Sequence, residues 1–234
     1  MSYTFQFGVI FDHWNELLAG LLLTIELAFF AILLGTSLGI LLASIRAMNR
    51  GLPSLLVDAY VEIIRNTPFL VQLFIVYFGL PGLGLRINAT TAALIGMVIN
   101  LGAYSTEIIR AGIEAVHKSQ IEAGEALGFS KLQIYRHVII MPAIAKVYPS
   151  LCSQFVLMML ASSICSAIST NELSAAAATI DSVTYRSFEV YMVVAVIYLS
   201  LALVLRGILA LIGDYVFGRK LIWNSALAFF GGRS

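Results

Sequence analysis

The sequence predicts an all-α integral membrane protein with five spanning helices and a short cytoplasmic helix in one loop. Three observations carry that prediction. Of 234 residues, 60% are hydrophobic and only 12% are charged, where soluble domains average about 25% charged. Mean hydropathy is +0.93. Five stretches reach the roughly 20 mainly apolar residues that a bilayer crossing needs. The net charge of +1 gives no basic excess or stripe of the kind a nucleic-acid binder shows, so lipid is the expected surround.

The first span covers Leu17–Ile45, interrupted only by Glu26. Ahead of it, Met1–Glu16 carries Asp12, His13 and Glu16 and no basic n-region. The apolar run is also too long for a signal-peptide core, so it reads as a retained span. The second span lies within Leu55–Leu80 and contains Arg65. The third runs from Ala89 to about Ile109, the fourth covers Val147–Ile168, and the fifth runs from about Val190 to Ile212 with Arg206 late in it. Residues 1–234 read as one membrane domain. Pro53, Pro68, Pro81, Pro142 and Pro149 fall at or near span ends or bends, where a missing N–H is tolerated. Cys152 and Cys165 share one apolar stretch and read as small buried hydrophobes. His13, His117 and His137 are isolated, without metal-ligand spacing.

Orientation follows the basic residues. Arg46, Arg50, Lys118, Lys131, Arg136, Lys146, Arg219, Lys220 and Arg233 fall on one side, and only Arg86 and Arg186 on the other. This places the N-terminus outside and the C-terminus in the cytoplasm, as an odd number of spans requires.

The longest cytoplasmic connection, about Arg110–Lys146, has its own local pattern. Ser119-Gln120-Ile121-Glu122 and Ser130-Lys131-Leu132-Gln133 both match the capping box, in which the Ser hydroxyl and the acidic or amide side chain satisfy free N–H groups reciprocally. Gly128 can supply the left-handed residue that closes the first helix. Pro142 is expected to end or bend the second. Two short helices around a glycine corner, the first over about 119–128, make a rigid knuckle.

The knuckle reads Glu122-Ala123-Gly124-Glu125-Ala126-Leu127-Gly128, then Ile139-Ile140-Met141-Pro142. It resembles the Glu-Ala-Ala…Gly…Ile-x-Leu-Pro signature of ABC importer permeases, with Gly124 at the second alanine and Met141 at the leucine. Arg65-Asn66-Thr67-Pro68-Phe69-Leu70-Val71-Gln72 resembles the Arg-Gly-Thr-Pro-x-x-Val-Gln stretch of the polar amino acid permeases. Gly102–Ile113 is similar to a second stretch of that family. The resemblance implies the type I ABC importer permease fold in a bacterial inner membrane. It also implies a dimer of ATPase subunits, an extracytoplasmic binding protein and a second permease subunit as partners. The cargo it implies is a polar amino acid or similar zwitterion. ATP and Mg would sit on the ATPase, with no cofactor on this chain; no G-x-x-x-x-G-K-[ST] phosphate loop occurs here, and no catalytic constellation is present. The implied docking helix has small residues at Ala123, Gly124 and Ala126, apolar anchors at Ile121, Leu127 and Phe129, and Glu122, Glu125 and Gly128 between them.

Charges within a bilayer mark pathways or pairs. Glu62/Arg65 and Glu107/Arg110 each have i, i+3 spacing for a same-helix pair, serving either as a structural clasp or as a substrate path or gate. Arg65 is the candidate for a substrate carboxylate, because Pro68, next to Thr67, breaks the helix and frees backbone groups. Glu26 either meets a cationic substrate or hydrogen-bonds across a helix interface. Arg206 either snorkels to the cytoplasm or pairs with Asp214. In span four, many members of the resembled family carry Lys-Asp-Thr-Ser-Leu; this chain has Leu160-Ala161-Ser162-Ser163-Ile164. A heterodimer whose other subunit supplies the missing charges accounts for this, as does a homodimer that uses Ser162, Ser163 and Glu26. The rival to an ATP-driven importer is an ion-gradient-driven carrier, which needs mid-membrane carboxylates and usually inverted repeats.

Overall fold

The computed structural model describes residues 4–48 and 51–217; Arg50, Arg219, Lys220 and Arg233 of the charge pattern lie outside them. The described residues form helices only. They run α1 (Gly8–Asp12), α2 (Trp14–Met48), α3 (Leu52–Arg65), α4 (Phe69–Gly82), α5 (Ala89–Glu114), α6 (Lys118–Ala126), α7 (Lys131–Gln133), α8 (Met141–Ala161), α9 (Leu173–Thr184) and α10 (Ser187–Phe217). Four helical stretches are long and apolar enough to cross a membrane by themselves, and the bent pair α3/α4 makes a fifth if it is taken as one span.

The fold is organised around α5. It packs against α2, α3, α4 and α8, and Met97, Leu101, Ala103 and Ile109 are fully buried along it. Lipid offers helices no hydrophobic reason to associate, so close approach through small residues is what holds them. Here the approach is glycine against side chain. A Cβ on Gly39 of α2 would overlap Ser105 Cβ and the adjoining α5 backbone, and one on Gly102 would meet Leu38 and the Tyr60 hydroxyl.

Two of the expected spans differ in construction. Residues 55–80 do not form one continuous helix: α3 and α4 meet at Asn66–Pro68 with a bend of 108°. The ring of Pro68 removes the N–H that would continue the ladder and biases Thr67 away from helix. The fourth stretch is longer than 147–168, because a continuous helical path runs over Lys131–Ile168. Pro142 does not end it. Ile134–Ile140 wind as a π-helix just before the proline and pass directly into α8, a local rewinding that absorbs the missing donor.

A further helix, α9, follows this stretch. Glu172 is its N-cap, accepting from Ser174 N–H at 2.8 Å and Ala175 N–H at 2.9 Å, and Tyr198 of α10 donates to the same carboxylate at 2.8 Å. Thr24 Oγ1 of α2 accepts from Leu173 N–H. One buried carboxylate thus ties α9 to α10, and the adjoining peptide ties it to α2. Cys152 and Cys165 are free and buried.

Gly39→Val should separate α2 from α5, because overpacking costs about 1–3 kcal/mol and the colliding atoms include backbone. Gly79→Ala, where nothing lies within 4 Å, is the matched control. Thermal unfolding of the purified protein should show the first variant clearly destabilised and the second unchanged or slightly more stable.

Candidate functional site

The break at Pro68 exposes backbone groups in the middle of the molecule, opposite the midpoint of α5. The carbonyl of Ile64 is the one whose helical partner would have been the proline nitrogen. Gln72, one turn into α4, replaces that donor. Its Nε2 donates to Ile64 O at 2.7 Å, Thr67 O at 3.0 Å and Thr67 Oγ1 at 2.8 Å, while Thr67 Oγ1 donates to Ile63 O at 2.8 Å. Asn100 of α5 then donates from Nδ2 to Gln72 Oε1 at 2.8 Å. The elbow is thereby bolted to the central helix.

Beside this bolt lies a cleft of about 240 Å³, lined by Thr67, Pro68 and Phe69 of the elbow, Asn100 and Tyr104 of α5, and Gln154, Leu157, Met158 and Ala161 of α8. Its volume falls below the range of drug-sized sites and suits a small solute. None of the lining side chains carries a formal charge. Arg65 stands next to it, with its guanidinium 5.6 Å from the centroid of the Tyr104 ring, a cation–π distance.

Two turns further along α5, three arginines converge on one carboxylate. Glu107 accepts from Arg110 Nε at 2.9 Å and also pairs with its Nη2. Arg65 of α3 approaches it to 3.8 Å and Arg46 of α2 to 3.7 Å. Arg46 also pairs with Asp58 of α3 at 2.8 Å, and Arg110 with Glu114. Arg46, Asp58, Glu62, Glu107 and Arg110 line a second cleft of about 270 Å³. A carboxylate shared in this way links three helices at one level.

Four residues beyond Glu114, α6 begins. His117 is its N-cap, with Nδ1 accepting from Ser119 N–H at 3.4 Å. At the other end, Phe129 N–H bonds Gly124 O at 3.1 Å and Gly128 N–H bonds Glu125 O at 2.9 Å, with Gly128 at φ 77°. This is the paired-bond Schellman closure. Ser130 and Gln133 then form a complete capping box at the start of α7. Leu127 is left 73% exposed and Phe129 42% exposed at the corner.

The family of "binding-protein-dependent transport system inner membrane component" proteins matches residues 35–217. This chain belongs to that family. It is 37% identical over 212 residues to the octopine transport system permease protein OccM of Rhizobium meliloti, covering 87% of this chain and 86% of that protein. It is 36% identical to the probable glutamine ABC transporter permease protein GlnM of Bacillus subtilis, covering 84% and 91%. An amino acid ABC transporter crystallised with histidines has a chain that is 36% identical, with a TM-score of 0.82 over 91% of this chain and 100% of that one. The MetNI methionine ABC transporter shares the fold at 20% identity and a TM-score of 0.67. The permease is therefore a multi-pass transport subunit that works with separate ATPase subunits and a substrate-binding protein. The ion-gradient-driven alternative is set aside by this membership.

Measured against the sequence, the permease brings together some candidate residues and separates others. Thr67 and Pro68 line the elbow cleft, and Glu107 and Arg110 pair as their spacing suggests. Glu62 and Arg65 do not pair: Asn66 Nδ2 donates to the Glu62 carboxylate at 2.9 Å, and Arg65 turns to Glu107 because the helix ends beside it. Ser162 is fully buried and donates to Met159 O at 2.6 Å, and Ser163 donates to Leu160 O at 2.8 Å. Both hydroxyls donate within the 3₁₀ winding of Ser162–Ile168, and neither residue lines the cleft. Glu26 is exposed on α2 between the exposed Ile25 and Phe29 and is not a lining residue of the cleft. Arg206 and Asp214 stand more than two turns apart on α10, too far for same-helix pairing.

In the knuckle, Ser119 is not the cap, because the helix starts at Lys118, two residues before the Gln120 that a Ser119 cap requires, and it ends at Ala126. Glu122 pairs with Lys118 at 3.4 Å in place of closing a capping box. Gly124 is buried, and a Cβ there would stand 3.2 Å from Ile134 Cγ1. Its smallness serves contact with the following helix within this chain. Ala123, Glu125 and Ala126 are exposed and Ile121 is half-buried. Gln72, Asn100, Arg46 and Asp58 were not singled out from sequence as site residues. An amide one turn after a helix-breaking proline is the signal that marks Gln72.

Glu107→Gln should leave three arginines sharing a neutral acceptor. Hydrogen bonds to charged groups contribute about 1.5–3 kcal/mol, so transport in proteoliposomes should fall at least about tenfold. Glu114→Gln, whose side chain is 63% exposed, should stay within about twofold, as exposed pairs do.

Proposed function

We propose that this permease imports a polar amino acid or closely related small zwitterion. In this reading α6 is the coupling helix on which an ATPase subunit, carrying ATP and Mg, seats itself. Supporting the cargo are the small, uncharged elbow cleft and the relatives whose names or titles specify octopine, glutamine and amino acids. The observation that carries the coupling role is the knuckle itself. Its helix is closed at both ends by local hydrogen bonds, packed on Ile134 through Gly124, and yet presents Leu127 bare to solvent. An exposed leucine on a rigid corner is an anchor for a partner's pocket. Ile121 and Phe129 flank it, with Glu122, Ala123, Glu125 and Ala126 on the helix and Gly128 setting the corner.

In the same reading the second permease subunit is a non-identical homologue. The cleft offers no charged side chain, Ser162 faces inward, and the segment 160–164 lacks the Lys-Asp pair. The charges that hold both ends of a zwitterion then come from the other subunit, with Arg65 in reserve beside Tyr104. The excess of lysine and arginine around α6 and after α2 supports a reading with these loops in the cytoplasm and the N-terminus outside. Motion of the ATPase pair would move α6 and the end of α5 together. The ion pairs at Glu107 would carry that displacement to the elbow.

Co-purification tests the coupling role. Leu127→Glu should reduce ATPase subunit recovered with the permease at least about tenfold, the effect of losing a buried anchor worth about 1.4 kcal/mol or more. Full recovery of ATPase with this variant would show that docking lies elsewhere.

A further inference from the structure

We propose that Asn100 Oδ1 is the acceptor in the elbow cleft for the ammonium group of the transported solute, and that Gln72 is the residue that points it there. This rests on the amino acid reading given above.

The argument is one of amide polarity. Ile64 O and Thr67 O are acceptors only, so the Gln72 group that faces both of them at 2.7 and 3.0 Å must be its NH₂. Gln72 Oε1 therefore points the other way, to Asn100 at 2.8 Å. A carbonyl oxygen is again an acceptor only, so Asn100 must present its NH₂ to Gln72. The reverse orientation would set two carbonyl oxygens in contact. The Oδ1 of Asn100 is thus directed away from Gln72. Asn100 is 6% exposed, and it is a wall of the cleft. The proline break, through two amides, thus fixes which end of the Asn100 side chain carries its acceptor, with the second Nδ2 hydrogen beside it.

An acceptor without formal charge in a cleft without formal charge selects a ligand by its N–H donors. An ammonium group offers three donors and a positive charge, and hydrogen bonds with one charged partner are the stronger kind. A solute with a methylated, donor-free nitrogen has nothing to give Asn100 and leaves it unpaired. That mismatch is the costly case for a polar group shut away from water.

The test uses the assembled complex of permease, second subunit and ATPase, with L-histidine, L-arginine and L-glutamine as probes. Import into proteoliposomes with the binding protein first establishes which probe is carried. Equilibrium binding of that probe to the detergent-solubilised complex, without binding protein, then reads the cleft directly. The wild type should bind it at least tenfold more tightly than its N,N,N-trimethyl derivative. Asn100→Leu should lose that preference by losing affinity for the ammonium form. Equal affinity of Asn100→Leu and wild type for the ammonium form would overturn the proposal. Should Asn100→Leu fail to assemble, equal affinity of the wild type for the two forms overturns it. Import of none of the three probes by wild type would defeat the amino acid reading itself, and this inference with it; import with an unchanged Asn100→Leu profile defeats the inference alone.

Discussion

At Pro68 the chain has no N–H to offer the carbonyl of Ile64, and in a hydrocarbon surround there is no water to take its place. Irregular backbone at membrane depth persists only where protein or a polar cavity satisfies it. Gln72 does so with a single amide group. The consequences spread outward from that one substitution of donor. The elbow can hold a 108° bend. The bend places Thr67, Pro68 and Phe69 against α5 and α8, and the space left between them is the cleft. The orientation of Asn100 follows from the same amide. Pocket shape and pocket chemistry thus have a common origin in a break that a continuous span would not contain.

The central helix α5 relates this pocket to the loop proposed above to meet the ATPase. Its first half packs on the elbow through Gly96 and Asn100, its second half carries Glu107 and Arg110, and its end leads within four residues to α6. Small residues on α2 and α5 keep the two helices close enough to move together. The α3 helix is held to this pair by charge, through Arg65 to Glu107 and Asp58 to Arg46. Charge pairs can change partners over a short displacement, whereas interdigitated glycine contacts cannot. The arrangement thus has one rigid unit, α2 with α5 and the elbow bolted to it, and one helix, α3, linked to that unit by exchangeable contacts.

Much of this was legible in the sequence where the signal is local. The capping box at Ser130–Gln133 and the left-handed Gly128 depend on neighbours within a turn, and both form. The similar pattern at Ser119–Glu122 misleads because His117, two residues ahead, captures the Ser119 N–H first; two adjacent capping candidates cannot be ranked by pattern alone. The Glu62/Arg65 and Glu107/Arg110 couples have identical spacing, but only the second lies inside a helix that continues past it. Arg65 ends its helix and finds Glu107 on another. Ser162 looked available as a polar group in an apolar span, yet the 3₁₀ winding turns its hydroxyl back onto Met159. Contacts such as Gln72 with Asn100 or Arg46 with Asp58 join residues far apart in sequence, so spacing carries no trace of them.

If the bolted elbow is the fixed part and the Glu107 pairs are the exchangeable part, the two must behave differently when the ATPase closes. The most direct measurement is a cryo-electron microscopy structure of the full complex locked with a non-hydrolysable ATP analogue, set beside a nucleotide-free one. Both should retain the bend at Pro68 and the Gln72 bonds to Ile64 and Thr67, while Arg65 or Arg46 changes its carboxylate partner. An elbow that straightens into a continuous helix in either state, with Gln72 released from Ile64, would contradict the account.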